Sequence, residues 1–173
     1  SIASMAVDRD GQLWLGTDQG VAVIYSPGNV FTGGNYDAQQ VMVEEEGYLH
    51  PLLETEAITA IAINGNNEKW LGTDKAGVFL MSADGTEELL HFTDANSPLL
   101  SNSIQSIKIS SNGEVYFATS LGIVSYKDYK VEPPSTLDSL VIYPNPVRPE
   151  YKGPIYISNL VAESNVKITD VTG

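Results

Sequence analysis

Cysteine is absent from the 173 residues of the chain. This absence excludes disulfide frameworks, zinc sites built from thiolates and cysteine nucleophiles. Basic residues are also scarce: nine Lys and Arg stand against 22 Asp and Glu, which leaves a formal net charge of −13. A chain this acidic repels phosphate backbones and anionic membrane surfaces. We therefore expect no nucleic-acid partner, and solubility is the simplest role for the excess of carboxylates.

Long apolar runs are missing too. No stretch of about 18 apolar residues predicts a membrane-spanning helix, and the first residues lack the basic segment and apolar stretch of a secretory leader. If the protein is exported, its signal lies outside this chain. The 42% of hydrophobic residues, the 9% of aromatic residues and the 15 glycines are typical of a folded, β-rich domain.

Candidate metal ligands are few. The only histidines are His50 and His91, which have none of the short spacings that zinc sites use. Asp8 and Asp10 form a D-x-D-G pattern similar to the start of a calcium loop, but no glutamate follows at the required position. We predict a tight turn there, with no metal and no cofactor. His50 lies in a long insertion and remains a candidate ligand contact.

Motifs for catalysis are equally absent. The chain has no G-x-S-x-G elbow and no phosphate-binding loop, and its Ser and Thr residues lack a paired base. Nothing in the sequence positions two of the carboxylates of Glu44, Glu45, Glu46 and Glu54 across a bond, as a glycosidase requires. The sequence therefore predicts no catalytic residue and a protein that is not an enzyme.

The sequence does contain one motif written three times, at residues 2–25, 58–81 and 104–126. Equivalent positions in the copies include Ile2, Ile58 and Ile104; Trp14, Trp70 and Tyr116; Gly16, Gly72 and Ala118; and Gly20, Gly77 and Gly122. The copies recur about every 50 residues, a period typical of four-stranded propeller blades. We therefore predict that each copy forms one blade.

Within each copy we predict an inner strand, a polar turn, a second strand and a third strand that follows the repeated glycine. The first two strands cover 2–7 and 13–17, 58–63 and 69–73, and 104–109 and 115–119. In the second strand, Gly or Ala stands two residues after a large aromatic residue, which lets the next blade approach closely. This spacing favours core packing of Trp14, Trp70 and Tyr116 over a carbohydrate-stacking array.

The outer parts of the copies are less regular. Outer strands are predicted near residues 29–32 and 88–93. Residues 33–57 lengthen the first copy, and we predict a strand around 39–43 followed by an exposed acidic loop. Loops on rigid scaffolds often carry function, although an indifferent surface insertion is the simpler interpretation.

A change of composition divides the chain near residue 130. Residues 131–136 (V-E-P-P-S-T) predict a stiff linker, and residues 137–173 offer strands at 139–143, 155–160 and 165–171. The predicted fold class is all-β, with a partial β-propeller of about three blades over 1–130 and the start of an Ig-like β-sandwich after the linker. Because propellers close with about four to eight blades, we expect a fragment completed by the remainder of a parent propeller or by another copy of the chain.

Two segments resemble known families. Residues 10–17 (D-G-Q-L-W-L-G-T), 70–73 (W-L-G-T) and, in degraded form, 116–119 (Y-F-A-T) resemble the two-component-regulator propeller repeat. In that family the propellers commonly form periplasmic sensor regions whose usual ligands are carbohydrate fragments. Residues 143–146 (Y-P-N-P), with the strands predicted after them, are similar to the C-terminal sorting domains of the type IX secretion system of Bacteroidetes.

These resemblances imply two hypotheses. The first is a non-enzymatic cell-surface binding and scaffold protein of the type IX attachment machinery, with other secretion components, cargo or a surface glycolipid such as lipopolysaccharide as partners. The alternative is the ligand-sensing propeller of a hybrid two-component regulator that recognises an oligosaccharide. The Y-P-N-P segment favours the first, because a sensor would continue into a different β domain. Both hypotheses imply export, to the periplasm or to the outer-membrane cell surface.

Overall fold

A computed structural model of the protein describes residues 1–45, 47–127, 141–143, 156–158, 160 and 165–166. The chain divides into two compact units, residues 1–131 and 132–173. The described secondary structure consists of antiparallel strands and one short 3₁₀ helix, so the predicted all-β class is confirmed. Within these ranges, no helix has the length and apolar character needed to cross a bilayer.

The first unit contains three blades, each an antiparallel sheet whose strands follow chain order. Blade 1 consists of β1 (Ile2–Val7), β2 (Leu13–Thr17), β3 (Gly20–Ile24) and β4 (Gln39–Gln40). A separate hairpin follows, made of β5 (Met42–Glu45) and β6 (Tyr48–Pro51). Blade 2 consists of β7 (Ile58–Ile63), β8 (Lys69–Thr73), β9 (Val78–Met81) and β10 (Glu88–Phe92). The described part of blade 3 consists of β11 (Ile104–Ile109), β12 (Glu114–Thr119) and β13 (Gly122–Lys127).

The turn between the first two strands is built in the same way in all three blades. The N–H of its first residue donates to the carbonyl of its fifth at 2.9, 3.0 and 2.9 Å, in the pairs Asp8–Gln12, Asn64–Glu68 and Ser110–Glu114. The fourth residue has a positive φ: Gly11 (78°), Asn67 (62°) and Gly113 (80°). Gly and Asn adopt this conformation at the least steric cost. The predicted tight hairpin turns are therefore confirmed.

The repeated Thr and Gly residues form the turn between the second and third strands. Each Thr hydroxyl donates to a Gly carbonyl, in the pairs Thr17–Gly20 (3.0 Å), Thr73–Gly77 (2.9 Å) and Thr119–Gly122 (2.9 Å). In blades 1 and 2 the N–H of that glycine also donates to the connection leading into the next blade, in the pairs Gly20–Glu56 (2.9 Å) and Gly77–Asn102 (3.0 Å). The motif thus fixes both the turn and the joint between blades.

Successive blades pack where the second strand carries glycine. A Cβ placed on Gly16 would lie 2.8 Å from Cγ2 of Ile58, and one placed on Gly72 would lie 2.6 Å from Cγ2 of Ile104. Ile58 and Ile104 are 0% and 1% exposed. The absence of a side chain on the glycine therefore lets the first strand of the next blade pack closely, as predicted. Each junction contains one apolar cluster. The two clusters are centred on Trp14, Val23, Ile58, Leu71 and Phe79, and on Trp70, Val78, Ile104, Val115 and Phe117.

The outer part of blade 1 differs from the prediction. Residues near 29–32 do not form a strand; Pro27–Phe31 is a 3₁₀ helix. Pro27 fixes φ and has no N–H to give to a strand ladder, and both properties suit the first turn of a helix. The fourth strand is instead the short β4, and the following insertion forms the hairpin β5–β6 rather than one strand and a loop. In blade 2 the outer strand predicted near 88–93 is confirmed as β10.

Tyr116 also departs from the prediction of core packing. Trp14 and Trp70 are 1% and 0% exposed, as predicted, whereas Tyr116 is 39% exposed and its hydroxyl donates to Glu114 Oε2 at 2.9 Å. The tryptophans lie at junctions where another blade covers them. Within the described residues no blade follows blade 3, so the equivalent ring stays open to solvent.

The second unit is described in two short strands. β14 (Val141–Tyr143) pairs with β15 (Tyr156–Ser158) in antiparallel register, with Ile142 opposite Ile157. These strands lie within the predicted segments 139–143 and 155–160. The linker 131–136 and most of the strand predicted at 165–171 lie outside the described residues, and the complete sandwich stays a prediction.

Substitution of Gly72 tests the close approach of blades 2 and 3. We expect Gly72→Val to lower the free energy of unfolding by about 1–3 kcal/mol, because the new methyl groups overpack against the β-branched Ile104. The matched control is Ala118→Val at the equivalent position of blade 3, where the described chain places no further blade. Equal losses in urea denaturation of the two variants would contradict this packing.

Candidate functional site at the junction of blades 1 and 2

A surface groove of about 330 Å³ lies where the turns of blade 1 meet those of blade 2. Its wall combines carboxylates, an amide, hydroxyls and apolar side chains: Asp10, Gln12, Tyr25, Met42, Asp84 and Thr86. Tyr25 is 45% exposed. The β1–β2 turn supplies Asp10 and Gln12, and the connection between β9 and β10 supplies Asp84 and Thr86. The groove is therefore assembled from two blades.

A buried ion pair lies beside this groove. Nζ of Lys69 is 3.1 Å from Oδ2 of Asp8, and neither side chain is exposed. The ammonium also donates to the carbonyls of Asn67 (2.7 Å) and Ala83, and it lies 4.6 Å from the ring centroid of Trp14. Because Asp8 belongs to blade 1 and Lys69 to blade 2, the pair crosses the junction. The ammonium has three acceptors in all: one carboxylate and two carbonyls.

Asp8 is a structural acceptor rather than a free metal ligand. Its Oδ1 accepts the N–H groups of Asp10 (3.0 Å) and Gln12 (2.8 Å), and its Oδ2 accepts Nε1 of Trp14 (2.9 Å) in addition to Lys69. A carboxylate with both oxygens in use has little capacity left for a cation. The D-x-D-G segment thus forms the predicted turn.

The environment shifts the pKa of both members of the pair. Burial opposes ionisation of Asp8, but the hydrogen bonds from Gln12, Lys69 and Trp14, with the charge of Lys69, hold its pKa below the ordinary value. Burial also lowers the pKa of Lys69, and the hydrogen bond and charge of Asp8 act in the opposite direction. Asp8 is thereby kept ionised opposite a cation that has no contact with water.

The groove itself carries negative charge. Hydrogen bonds to Asp84 from the Ser82 hydroxyl (2.6 Å) and from the N–H and hydroxyl of Thr86 (3.1 and 2.9 Å) lower its pKa. Oδ2 of Asp10 accepts Nδ2 of Asn67 at 2.8 Å. Carboxylates held in this way accept hydrogen bonds from hydroxyl or amino groups and repel anions.

The sequence drew attention to Asp8 and Asp10 but did not reveal the partner of Asp8. The signal lay at Lys69, because the equivalent positions of the repeat carry the apolar residues Leu13 and Val115. A lysine in place of an aliphatic residue in a buried strand indicates an acidic partner nearby. That comparison between copies would have predicted the ion pair.

The two histidines do not line this groove. His91, in β10, donates through Nε2 to the Ala76 carbonyl (2.7 Å) and stacks on Phe79 with the ring centroids 3.9 Å apart. His50, in β6, lines a second groove of about 290 Å³ together with Glu44 and Glu88. His91 is thus an outer-strand residue, as predicted, and His50 borders a groove in which a ligand contact stays a prediction.

The remaining acidic candidates do not form a described cluster. Glu44 and Glu54 are exposed, and the side chain of Glu45 and the whole of Glu46 lie outside what the structure describes. No group of three or more His, Cys, Asp or Glu residues able to hold a metal ion occurs in the described part of the chain. The structure therefore brings Asp8, Asp10 and Asp84 to one junction, whereas Glu44 and Glu54 do not line the groove there.

Comparison with known proteins gives one family match and several similar solved structures. The two-component regulator propeller family matches residues 1–19. A structure of PorZ, an essential surface component of the type IX secretion system of Porphyromonas gingivalis, aligns with 100% of the chain at 37% sequence identity and a TM-score of 0.72. The chain carries propeller repeats and resembles PorZ. The predicted resemblance to the two-component-regulator propeller repeat is therefore confirmed. The chain spans 24% of the length of the PorZ structure.

More distant structures share the fold. The extracellular domain of a hybrid two-component system from B. thetaiotaomicron matches 73% of the chain at 24% identity and a TM-score of 0.56, and 16% of that domain is covered. The extracellular domain of a one-component system from the same organism matches 82% at 19% identity and 0.55, again with 16% covered. No curated protein matches the chain. Propeller architecture is thus common to secretion and sensor proteins.

Removal of either charge tests the buried pair. We expect Asp8→Asn or Lys69→Met each to cost about 3–5 kcal/mol of stability, because the remaining partner loses its counter-charge in a site without water. The double variant should be more stable than the sum of the single losses predicts. The double variant would place an asparagine and an apolar residue at this junction, as Asn64 and Val115 do at the junction of blades 2 and 3. Additive losses in urea denaturation would contradict the coupling.

Acid titration tests the lowered pKa of Asp8. A carboxyl whose pKa is lower in the folded than in the unfolded chain stabilises the fold above its unfolded pKa of about 4, and this contribution is lost as the pH falls through the folded pKa. The stability difference between wild type and Asp8→Asn should therefore shrink as the pH is lowered from 7 to 3. Urea denaturation of both proteins at several pH values and constant ionic strength measures this difference. A stability difference that does not change with pH would contradict the lowered pKa of Asp8.

Proposed function

We propose that the chain is part of an exported, non-enzymatic surface component of a type IX secretion system that binds partners at the cell surface. The observation that supports this most is the similarity to PorZ, which extends over the whole chain at 37% identity. The similarity spans residues 1–131 and residues 132–173 alike. A propeller alone would fit many functions, because the fold does not determine function.

The chemistry of the groove agrees with binding rather than catalysis. Asp8 is neutralised by Lys69, and Asp84 is engaged by Ser82 and Thr86. Carboxylates that already hold structural hydrogen bonds serve poorly as proton shuttles. The exposed carboxylates of Asp10 and Asp84 can still accept hydrogen bonds on their open sides. We propose that the hydroxyl-rich saccharide of a surface glycolipid, such as lipopolysaccharide, contacts this groove.

Tyr25 supplies the apolar surface that such a contact needs. Its half-exposed ring lines the groove beside Asp10 and Gln12. Sugars combine hydroxyl groups with apolar ring faces, and sites that bind them join aromatic surface to hydrogen-bonding groups. The negative charge of the groove favours a neutral or amino-bearing sugar over a phosphate.

Deletion and complementation in the organism that carries this chain test the proposal. Loss of the protein should release type IX cargo from the cell surface, and the wild-type gene should restore it. Tyr25→Ala should restore surface cargo only in part. The matched control Tyr48→Ala, which removes a 78% exposed ring that does not line the groove, should restore it fully.

The sensor hypothesis predicts a different result. If the protein is a regulator, deletion leaves surface cargo unchanged and abolishes the transcriptional response to an oligosaccharide. Protease treatment of intact cells adds an independent readout, because a surface component is cleaved and a periplasmic sensor is protected. Unchanged surface cargo together with protection from protease would overturn the proposed function.

A further inference from the structure

The groove between blades 1 and 2 (the junction groove) has a neighbour of similar size. This second groove (the hairpin groove) measures about 290 Å³ and is bordered by the β5–β6 hairpin and by β9 and β10 of blade 2. Thr86 lines both grooves. Consecutive residues of β5 divide between them, with Met42 in the junction groove and Val43 in the hairpin groove. The two grooves are therefore adjoining parts of one surface.

The hairpin groove has an apolar floor. Leu52, Phe79 and Met81 line it and are 3%, 6% and 3% exposed. Phe79 and Met81 occupy alternate positions of β9 and so point to the same face of the sheet. The ring of Phe79 is held by His91, which stacks on it with the ring centroids 3.9 Å apart. A floor of fixed, buried side chains can receive an apolar ring face without first rearranging.

Polar groups surround this floor. Glu44 and Glu88 are exposed and line the groove together with the half-buried His50. At the boundary between the grooves, the hydroxyl of Thr86 donates to Asp84 at 2.9 Å, and its oxygen can still accept a hydrogen bond from a ligand. Apolar surface with a few hydrogen-bonding groups around it is typical of sites that bind small molecules.

The two grooves have the size of a ligand site only in combination. Sites for small molecules usually measure roughly 300–1,000 Å³. The volumes of about 330 and 290 Å³ lie at the lower limit of this range, whereas the two grooves together lie well within it. A ligand that fills the junction groove with one unit can therefore continue past Thr86 and place its next unit in the hairpin groove.

Both grooves carry charge of the same sign. Among the described residues that line them there are four carboxylates and neither Lys nor Arg. The carboxylates are Asp10 and Asp84 in the junction groove and Glu44 and Glu88 in the hairpin groove. Phosphate, sulfate and carboxylate groups on a ligand would be repelled along the whole surface, whereas hydroxyl and amino groups find acceptors in both halves.

We propose that the hairpin groove is a second subsite for a saccharide chain, so that the site holds at least two linked sugar units without acidic groups. One unit contacts Tyr25 in the junction groove, and the next lies over Phe79 and Met81 with its hydroxyl or amino groups directed to Glu44 and Glu88. This inference rests on the proposed function for the class of its ligand. It adds a requirement for chain length that the junction groove alone does not impose.

The dependence of affinity on chain length tests the second subsite. The probes are glucosamine and its β-1,4-linked dimer, titrated into the full-length protein and followed by saturation-transfer NMR. We expect the dimer to bind about tenfold more tightly than the monomer, because only the dimer reaches both grooves. The dimer of galacturonic acid has the same size but a carboxylate on each ring. It should bind at least about tenfold more weakly than the glucosamine dimer, because the carboxylates of both grooves repel it.

Protein variants assign the gain to the hairpin groove. Glu88→Ala should reduce the advantage of the dimer to about twofold and leave the affinity for the monomer unchanged. The matched control Glu87→Ala removes an exposed, neighbouring carboxylate that lines neither groove, and it should retain the full advantage. Tyr25→Ala should weaken the binding of monomer and dimer by the same factor, because Tyr25 lines only the junction groove.

The outcomes separate this inference from the proposed function. Equal affinities of monomer and dimer, or a dimer advantage that Glu88→Ala leaves at full size, would overturn the second subsite. Equal binding of the two dimers, or no binding of either glucosamine probe, would overturn it as well. None of these results alters the release of surface cargo on deletion, which decides the proposed function independently.

Discussion

The close approach of backbone to side chain at Gly16 and Gly72 is the constraint on which the propeller unit depends. Each glycine lets an isoleucine from the next blade lie where a Cβ would otherwise stand. Burial of Ile58 and Ile104 at these points brings the inner strands together and encloses the tryptophans of the preceding blade. Without that approach the blades would be separate small sheets, which are marginally stable in water.

Polar contacts then distinguish the two junctions. At the first, Asp8 accepts the indole N–H of Trp14 and pairs with Lys69. At the second, Asn64 takes the place of the aspartate, and within the described residues Nε1 of Trp70 is buried without a hydrogen-bond acceptor. Apolar packing is therefore shared by both junctions, whereas the buried ion pair of Asp8 and Lys69 lies at the first.

The structure could be predicted from the sequence at positions where the three copies of the repeat carry equivalent residues. The inner strands, the turns with positive φ and the glycine contacts all follow from residues that recur in type. The exposed ring of Tyr116 could not be foreseen, because its burial depends on a neighbour beyond blade 3. The 3₁₀ helix at Pro27–Phe31 and the hairpin after β4 lie where the copies diverge, so repetition gave no guide to them. The groove near Asp84 could not be predicted from the sequence, because the residues of its two walls are distant in the chain.

The position of Lys69 gives the blades a fixed neighbour order. Only a blade that presents a carboxylate at the position of Asp8 can precede blade 2 without leaving an ammonium buried and uncompensated. Deletion or exchange of blade 1 would therefore destabilise the junction unless the new neighbour of blade 2 carried that acid. Blades that share one repeat are in this way made individual and non-interchangeable at this junction.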